Sequence, residues 1–202
     1  MTAAPSYSSN FQSALRPELR HIALGKRPYA EVWEYQKELQ QQIIANKLAR
    51  ETDPELTPAT HYLLTVEHPP VYTLGKSGKP EHLLLTPAQL NERGAEFYPV
   101  ERGGDITFHG PGQVVVYPIL DLEWYFTDLG RYLRTLEDAV IRTLAEYGIV
   151  GGRLPGYTGV WIEPHTPRER KICAMGIKCS RWVTLHGLAL NVNTDLDRKS
   201  VV

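Results

Sequence analysis

Three short stretches hold the residue types that can do chemistry. The first runs Arg102-Gly103-Gly104-Asp105-Ile106-Thr107-Phe108-His109-Gly110-Pro111-Gly112-Gln113, with four glycines in twelve positions. Glycine lets backbone approach a ligand closely and supplies positive φ where a turn demands it. N–H groups exposed in such a loop bind anions or a carbonyl oxygen. Arg102 adds a permanent charge and a donor fork, and His109 adds a group that gives or takes a proton near neutral pH. A long hairpin turn that needs glycines for geometry alone is the competing reading. No Gly-Lys-Ser/Thr follows, so this is not a Walker loop, and the spacing is not the dinucleotide fingerprint.

The second stretch is Lys171-Ile172-Cys173-Ala174-Met175-Gly176-Ile177-Lys178-Cys179. A lysine beside a strand of small residues can face a pocket, where desolvation tunes it. Period-two alternation puts Lys171, Cys173 and Met175 on one strand face and Ile172 and Ala174 on the other. Cys173 and Cys179 read as small buried hydrophobes in preference to nucleophiles. Together with His186 they lack zinc-ligand spacing, so no metal site is expected. The third stretch is Thr184-Leu185-His186-Gly187-Leu188-Ala189-Leu190-Asn191-Val192-Asn193. A glycine after histidine inside a strand points to a bulge or to close backbone approach. His186 by itself reads as a satisfied core histidine.

The elements that must carry these stretches follow from periodicity. Val32, Tyr35, Leu39, Ile43 and Leu48 step along one face of a helix that starts after Pro28. Thr52-Asp53-Pro54 and Thr57-Pro58 break it into a loop. His61-Tyr62-Leu63-Leu64-Thr65-Val66-Glu67 reads as a buried strand stopped by His68-Pro69-Pro70, and 71–75 as a second, short one. Thr86-Pro87 opens a brief helix. Strands over 97–100 and 114–120 flank the glycine-rich loop. Asp128 caps a helix with Leu129, Leu133, Leu136, Val140, Leu144 and Tyr147 on one face, and Gly148 ends it. After a glycine loop over 151–156, a strand over 158–162 and a polar turn over 164–170, the stretches 171–179 and 183–192 read as paired strands. With no regular βαβ rhythm, the class is α+β: a mixed, largely antiparallel sheet with helices packed on one face.

The chain has 202 residues, 42% of them hydrophobic and 22% charged, which predicts a single globular domain with a sizeable core. A net charge of −1 gives no electrostatic case for nucleic acid or an anionic membrane, and neither is expected as a partner. Two cysteines point to a reducing compartment, the cytoplasm. The densest apolar run, 114–120, is far too short to span a bilayer. Residues 1–20 have no secretory core and read as a flexible polar tail, with a faint likeness to a transit peptide as the alternative.

Taken together, RGGDITFHGPGQVVVYPILDL at 102–122, GVWI at 159–162, KICAMGIK at 171–178 and TLHGLALNVNTDL at 184–196 resemble the lipoyl(octanoyl) transferase family. The resemblance implies a biotin/lipoate protein ligase-like fold over 21–202. It also implies transfer of octanoyl from octanoyl-acyl carrier protein to a lysine of lipoyl domains, those of the 2-oxoacid dehydrogenases and the glycine cleavage H protein, with no cofactor. Arg102, Gly103, Gly104, Asp105, Ile106, Thr107, Phe108 and His109, then Ala174, Met175 and Gly176, then Gly187, Leu188 and Ala189, match the family's substrate-contacting segments. Lys171 matches the lysine that lowers the pKa of the catalytic cysteine. The stretch 102–109 is expected to wall the main pocket with the Lys171 amine nearby. The family's nucleophile belongs to a Pro-Cys-Gly segment beyond Asn-Thr-Asp-Leu, and neither Cys173 nor Cys179 matches it. The domain is therefore expected to be truncated at its C-terminus and inactive as written. Two alternatives remain: an ATP-dependent lipoate or biotin protein ligase, and a non-catalytic binder of acyl carrier protein or lipoyl domains.

Overall fold

The computed structural model describes residues 16–197. In chain order its elements are strand β1 (Leu19–Lys26), helix α1 (Tyr29–Thr52), strands β2 (His61–Glu67) and β3 (Val71–Leu74), and helix α2 (Pro87–Glu92). Strands β4 (Glu96–Pro99), β5 (Ile106–His109) and β6 (Gln113–Ile119) come next, then helix α3 (Leu129–Glu146). Strands β7 (Gly151–Gly152), β8 (Val160–Ile162), β9 (Arg170–Ser180) and β10 (Val183–Asn191) complete the order. A seven-stranded sheet has the order β1-β2-β6-β10-β9-β8-β7, and a three-stranded sheet the order β4-β3-β5. The pairs β1–β2 and β3–β4 run parallel and the remaining pairs antiparallel. This is the mixed, largely antiparallel α+β arrangement that the patterning predicts.

Helix α1 buries Tyr29, Val32, Leu39, Ile43 and Ile44 together with Gln36 and Gln40. The two amides serve backbone groups of β10: the Gln40 Nε2 donates to the Val183 carbonyl at 2.8 Å, and the Gln36 Oε1 accepts from the His186 N–H at 3.0 Å. Buried polar side chains persist where they meet such obligations. Leu48, expected on the packed face, is 39% exposed.

The expectation that the helices share one sheet face is corrected. Helix α1 packs against Val115, Tyr117 and Ile119 of β6 and Val183, Leu185 and Ala189 of β10. Helix α3 packs with Val116, Leu188, Leu190, Val160 and Cys173, on the opposite face. Strands β6 and β10 are apolar at both odd and even positions, so each side of the sheet needs a cover.

Three other segments differ from the patterning. Leu19 and Arg20, assigned to a tail, open β1, which pairs with β2; residues 1–15 of that tail lie outside the described residues. Within the glycine-rich stretch, Ile106–His109 forms β5 against β3. Gly151 and Gly152, expected in a loop, form β7 beside β8, where a Cβ on Gly151 would come within 2.8 Å of Leu144.

Helix α3 holds the far end of the sheet through one buried acid. Glu137 is fully buried, takes Arg153 Nε at 2.7 Å and Arg134 Nη1 at 2.8 Å, and accepts the Gly159 N–H at 2.9 Å. Gly159 sits at φ 125° against the Cys173 carbonyl, a position with no room for a side chain.

Candidate active site

The site forms where the small sheet meets the centre of the large one. Arg102, 7% exposed, follows β4 and reaches back to β3, donating from Nη2 to the Thr73 carbonyl at 2.7 Å and to Thr73 Oγ1 at 2.9 Å. Its Nη1 donates to the Gly103 carbonyl at 3.0 Å. No carboxylate is ion-paired with it among the described residues, and burial lowers its pKa below the usual guanidinium value. A buried cation held by neutral oxygens keeps its field available to an electron-rich ligand group.

The floor is made by glycines. Gly176 of β9 lies directly opposite Gly187 of β10. The loop after Arg102 settles on this bare patch, with the Gly103 N–H donating to the Ile177 carbonyl at 2.9 Å. A Cβ on Gly176 would lie 2.6 Å from the Gly103 carbonyl oxygen, and one on Gly187 would overlap the Val116 carbonyl. Side chains at either position would push the loop or β6 away.

The resulting cavity is lined by Arg102, Thr107, His109, Ala174, Met175, Gly176, Gly187, Leu188 and Ala189, and also by Tyr29, Val115, Tyr117 and His186. Nine of the expected site residues therefore converge. Gly103 and Gly104 act as backbone beneath the loop, and the Gly104 carbonyl accepts from the Ser77 N–H at 3.1 Å. Asp105 pairs with His82 at 2.7 Å, Phe108 meets Tyr72 with ring centroids 5.1 Å apart and planes tilted by 48°, and Ile106 packs in that same small-sheet cluster. Lys171 lies outside the cavity lining, three residues before Ala174 on β9. Its stem lies against Gly159, its ammonium sits 4.8 Å from the Trp161 ring centre, and burial lowers its pKa.

Four lining residues escaped the sequence reading. Tyr29 opens α1 and stacks on His109, with centroids 6.0 Å apart and planes 10° apart. Tyr117 comes from β6, and its hydroxyl meets His68 Nε2 at 2.9 Å. Because His68 Nδ1 faces the Arg27 carbonyl at 2.8 Å, that nitrogen carries the proton and Nε2 accepts from Tyr117. Burial lowers the His68 pKa, consistent with a neutral ring.

His186 adopts φ 63°, a left-handed conformation that histidine takes more readily than most side chains. Burial first, then the charges of Arg102 and Lys178, hold its pKa down to about 3. Its Nε2 finds no hydrogen-bond partner among the described residues. The core-histidine reading is thus half right, since the ring is buried and also lines the cavity. A histidine before a strand glycine was the available signal.

Neither cysteine reaches the cavity. Cys173 is fully buried in the cluster under α3, and Cys179 is half-buried with its thiol pushed up by burial. Among the described residues no group of three His, Cys, Asp or Glu side chains is placed to hold a metal ion. No helix among them is long and apolar enough to cross a membrane.

Residues 28–201 match the family model for the lipoyl protein ligase A/B catalytic domain. An octanoyltransferase of Flavobacterium johnsoniae is 60% identical over 173 residues, covering 86% of this chain and 75% of that protein. One of Bacteroides thetaiotaomicron is 51% identical over 169 residues, covering 84% and 72%. Among solved structures, a bipartite lipoate protein ligase with its E2 lipoyl domain, from Thermoplasma acidophilum, superposes with a TM-score of 0.57 at 20% identity. That match covers 93% of this chain and 66% of the other. A lipoate-protein ligase A bound with ATP gives 0.59 at 18% identity, covering 92% and 70%. At such identities these two establish a shared fold.

Proposed function

We propose that this chain, which belongs to the lipoyl protein ligase A/B catalytic domain family, transfers an octanoyl group onto the acceptor lysine of lipoyl-domain proteins. The observation that carries this is the convergence on one cavity of Arg102, His109, the segment 174–176 and the segment 187–189, in a chain 60% identical to an octanoyltransferase. The donor is octanoyl-acyl carrier protein, and the acceptors are lipoyl domains of 2-oxoacid dehydrogenases and the glycine cleavage H protein, in the cytoplasm. In the overall reaction the thioester C–S bond breaks and an amide C–N bond forms, so no ATP is consumed.

The chemistry follows from the cavity. Arg102 stands in the cavity wall, where its charge acts on the acyl oxygen as negative charge builds there during attack on the carbonyl. The cavity encloses about 30 Å³, the room of roughly one water. An eight-carbon chain therefore enters as lining side chains rotate, and Met175, unbranched and half-buried, is suited to yield. The acyl group passes through a cysteine thioester, and Lys171 supports the thiolate from the β9 end of the site. The sulfur is neither Cys173 nor Cys179, because both lie outside the cavity.

The test is to incubate the protein with octanoyl-acyl carrier protein and an apo lipoyl domain and to weigh all components intact. Octanoyl on the acceptor lysine without ATP is the expected result for the chain carrying a Pro-Cys-Gly segment beyond Asn-Thr-Asp-Leu, and no transfer is expected from the 202 residues alone, whose two cysteines both lie outside the cavity. Octanoylation that needs free octanoate and ATP would replace this reading with a ligase. An octanoyl adduct on Cys173 or Cys179 would overturn the assignment of the sulfur.

A further inference from the structure

Lys171 does not sit where period-two alternation puts it. Strand β8 pairs Val160 with Cys173, but the next residue, Trp161, pairs with Lys171, so Ile172 is an extra residue on β9 with no opposite number. Such a β-bulge re-aims the side chains beyond it. Val160, Ile162, Ile172 and Cys173 all join the cluster under α3. Trp161, between Val160 and Ile162, therefore faces the other way, and Lys171, directly opposite it, shares that face. This is the side of the sheet on which α1 packs. The Lys171 stem crosses Gly159, where a Cβ would lie 3.5 Å from both Cδ and Cε, and its ammonium ends 4.8 Å from the centre of the Trp161 ring.

We propose that Trp161 is a positioning residue for the transfer reaction: the bulge turns Lys171 off the α3 side of the sheet, and the indole face holds its ammonium there. The proposal rests on the transferase reading, in which Lys171 supports a thiolate. An indole attracts a cation more strongly than the other aromatic rings do, and more so away from water. No acid is ion-paired with Lys171 among the described residues, so the ring holds the ammonium where a carboxylate otherwise would. A carboxylate there would repel the thiolate and compete for the same cation, whereas a neutral ring leaves the cation's field free. Tyr157 steadies the ring edge-on, with centroids 5.8 Å apart. The indole Nε1 has no hydrogen-bond partner among the described residues, so the ring face is what Trp161 contributes. The other titratable groups around Lys171 are Tyr157 and, on its own strand, the buried Cys173. Glu137, beyond Gly159, is taken by Arg134 and Arg153, and Glu163, after β8, by Arg168 and Arg170. From β10 the uncharged Asn191 meets the Lys171 carbonyl at 3.4 Å.

The first measurement needs no turnover. It is the 1H–13C spectrum of lysine-labelled protein, with Lys171 assigned through Lys171→Arg. Protons above an indole face resonate upfield, so the Lys171 Hε signals are expected upfield of lysines with no ring beneath them, and to lose that displacement in Trp161→Leu. Lys37, 4.5 Å over the Trp33 ring, is the internal reference that this substitution leaves in place. Undisplaced Lys171 signals in the unaltered protein overturn the proposal whatever the activity. The titration midpoint of Lys171 should fall by about one pH unit in Trp161→Leu, because burial still disfavours the charge and the ring no longer offsets it. In a form that carries the Pro-Cys-Gly segment, Trp161→Leu should slow loading of the thiol about 3- to 30-fold near neutral pH and less in alkali. In a Lys171→Ala background the same change should add nothing, and an additive loss overturns the positioning role. If Trp161→Leu does not fold, Trp161→Phe replaces it, with a smaller effect in the same direction. Displaced Lys171 signals in a protein whose extended form transfers no octanoyl group overturn the transferase reading instead.

Discussion

Gly176→Ala probes the packing on which the site depends. The added methyl would meet the Gly103 carbonyl at 2.6 Å and Arg102 Cδ at 3.2 Å, whereas ordinary contact begins near 3.4 Å. Strand β9 and the glycine loop must therefore part by about 0.8 Å. That strains the 2.9 Å bond from the Gly103 N–H to the Ile177 carbonyl, which seats the loop. Overpacking of this kind costs about 1–3 kcal/mol of stability. A shift approaching 1 Å at a reacting centre costs on the order of 100-fold in rate. Both effects are measurable together, by urea unfolding and, in a form that carries the Pro-Cys-Gly segment, by octanoyl transfer to a lipoyl domain, with binding of a non-hydrolysable octanoyl thioether as a further readout. Gly25→Ala is the matched control. Gly25 sits at φ 66° with open space around it, so alanine there costs about 1–2 kcal/mol through backbone strain alone. It lies in β1, outside the cavity lining, so transfer should be unaffected. If Gly176→Ala transfers and binds as well as Gly25→Ala, the glycine pair is not what seats the loop.

Glu137→Ala strips a fully buried carboxylate from Arg153, Arg134 and the Gly159 N–H, and should lower unfolding stability by about 3–5 kcal/mol in urea. Glu137→Gln keeps an acceptor for Gly159 and should cost less. Acid should destabilise the protein through His186, held near 3 when folded against an unfolded value of about 6.5. Unfolding then takes up a proton, so stability falls as pH drops from about 6.5 toward 3, by up to about 1.4 kcal/mol per pH unit, and His186→Asn should flatten that slope. In a form that carries the Pro-Cys-Gly segment, Lys171→Ala should slow loading of the thiol most near neutral pH, where thiolate is scarce, and less in alkali. An equal loss at every pH, in stopped-flow or quench measurements, would assign Lys171 to positioning alone.

The elements were legible from local pattern. His61–Glu67 was readable because β-branched and aromatic residues run to a double proline, α3 because Asp128 and Gly148 bracket its apolar face, and β9–β10 because two apolar runs flank a short gap. The three chemical stretches were equally plain, since glycines, a histidine and an arginine close in sequence need no tertiary contact to be noticed. Other features lay beyond local pattern. The Arg181–Trp182 turn takes φ of 48° and 64° without a glycine, and it is held by Lys47 on the Arg181 carbonyl and by the Leu122 N–H on that of Trp182. Helices fell on opposite sheet faces because strand order, and not periodicity, decides which strands need two covers. Tyr29, Tyr117 and His186 joined the cavity because α1, β6 and β10 bring together residues up to 157 positions apart. Gln36, Gln40, Gln113 and Glu137 are polar side chains that local pattern does not mark as core, yet each is buried, because each answers a backbone or ring group that only the assembled chain leaves in want of a partner.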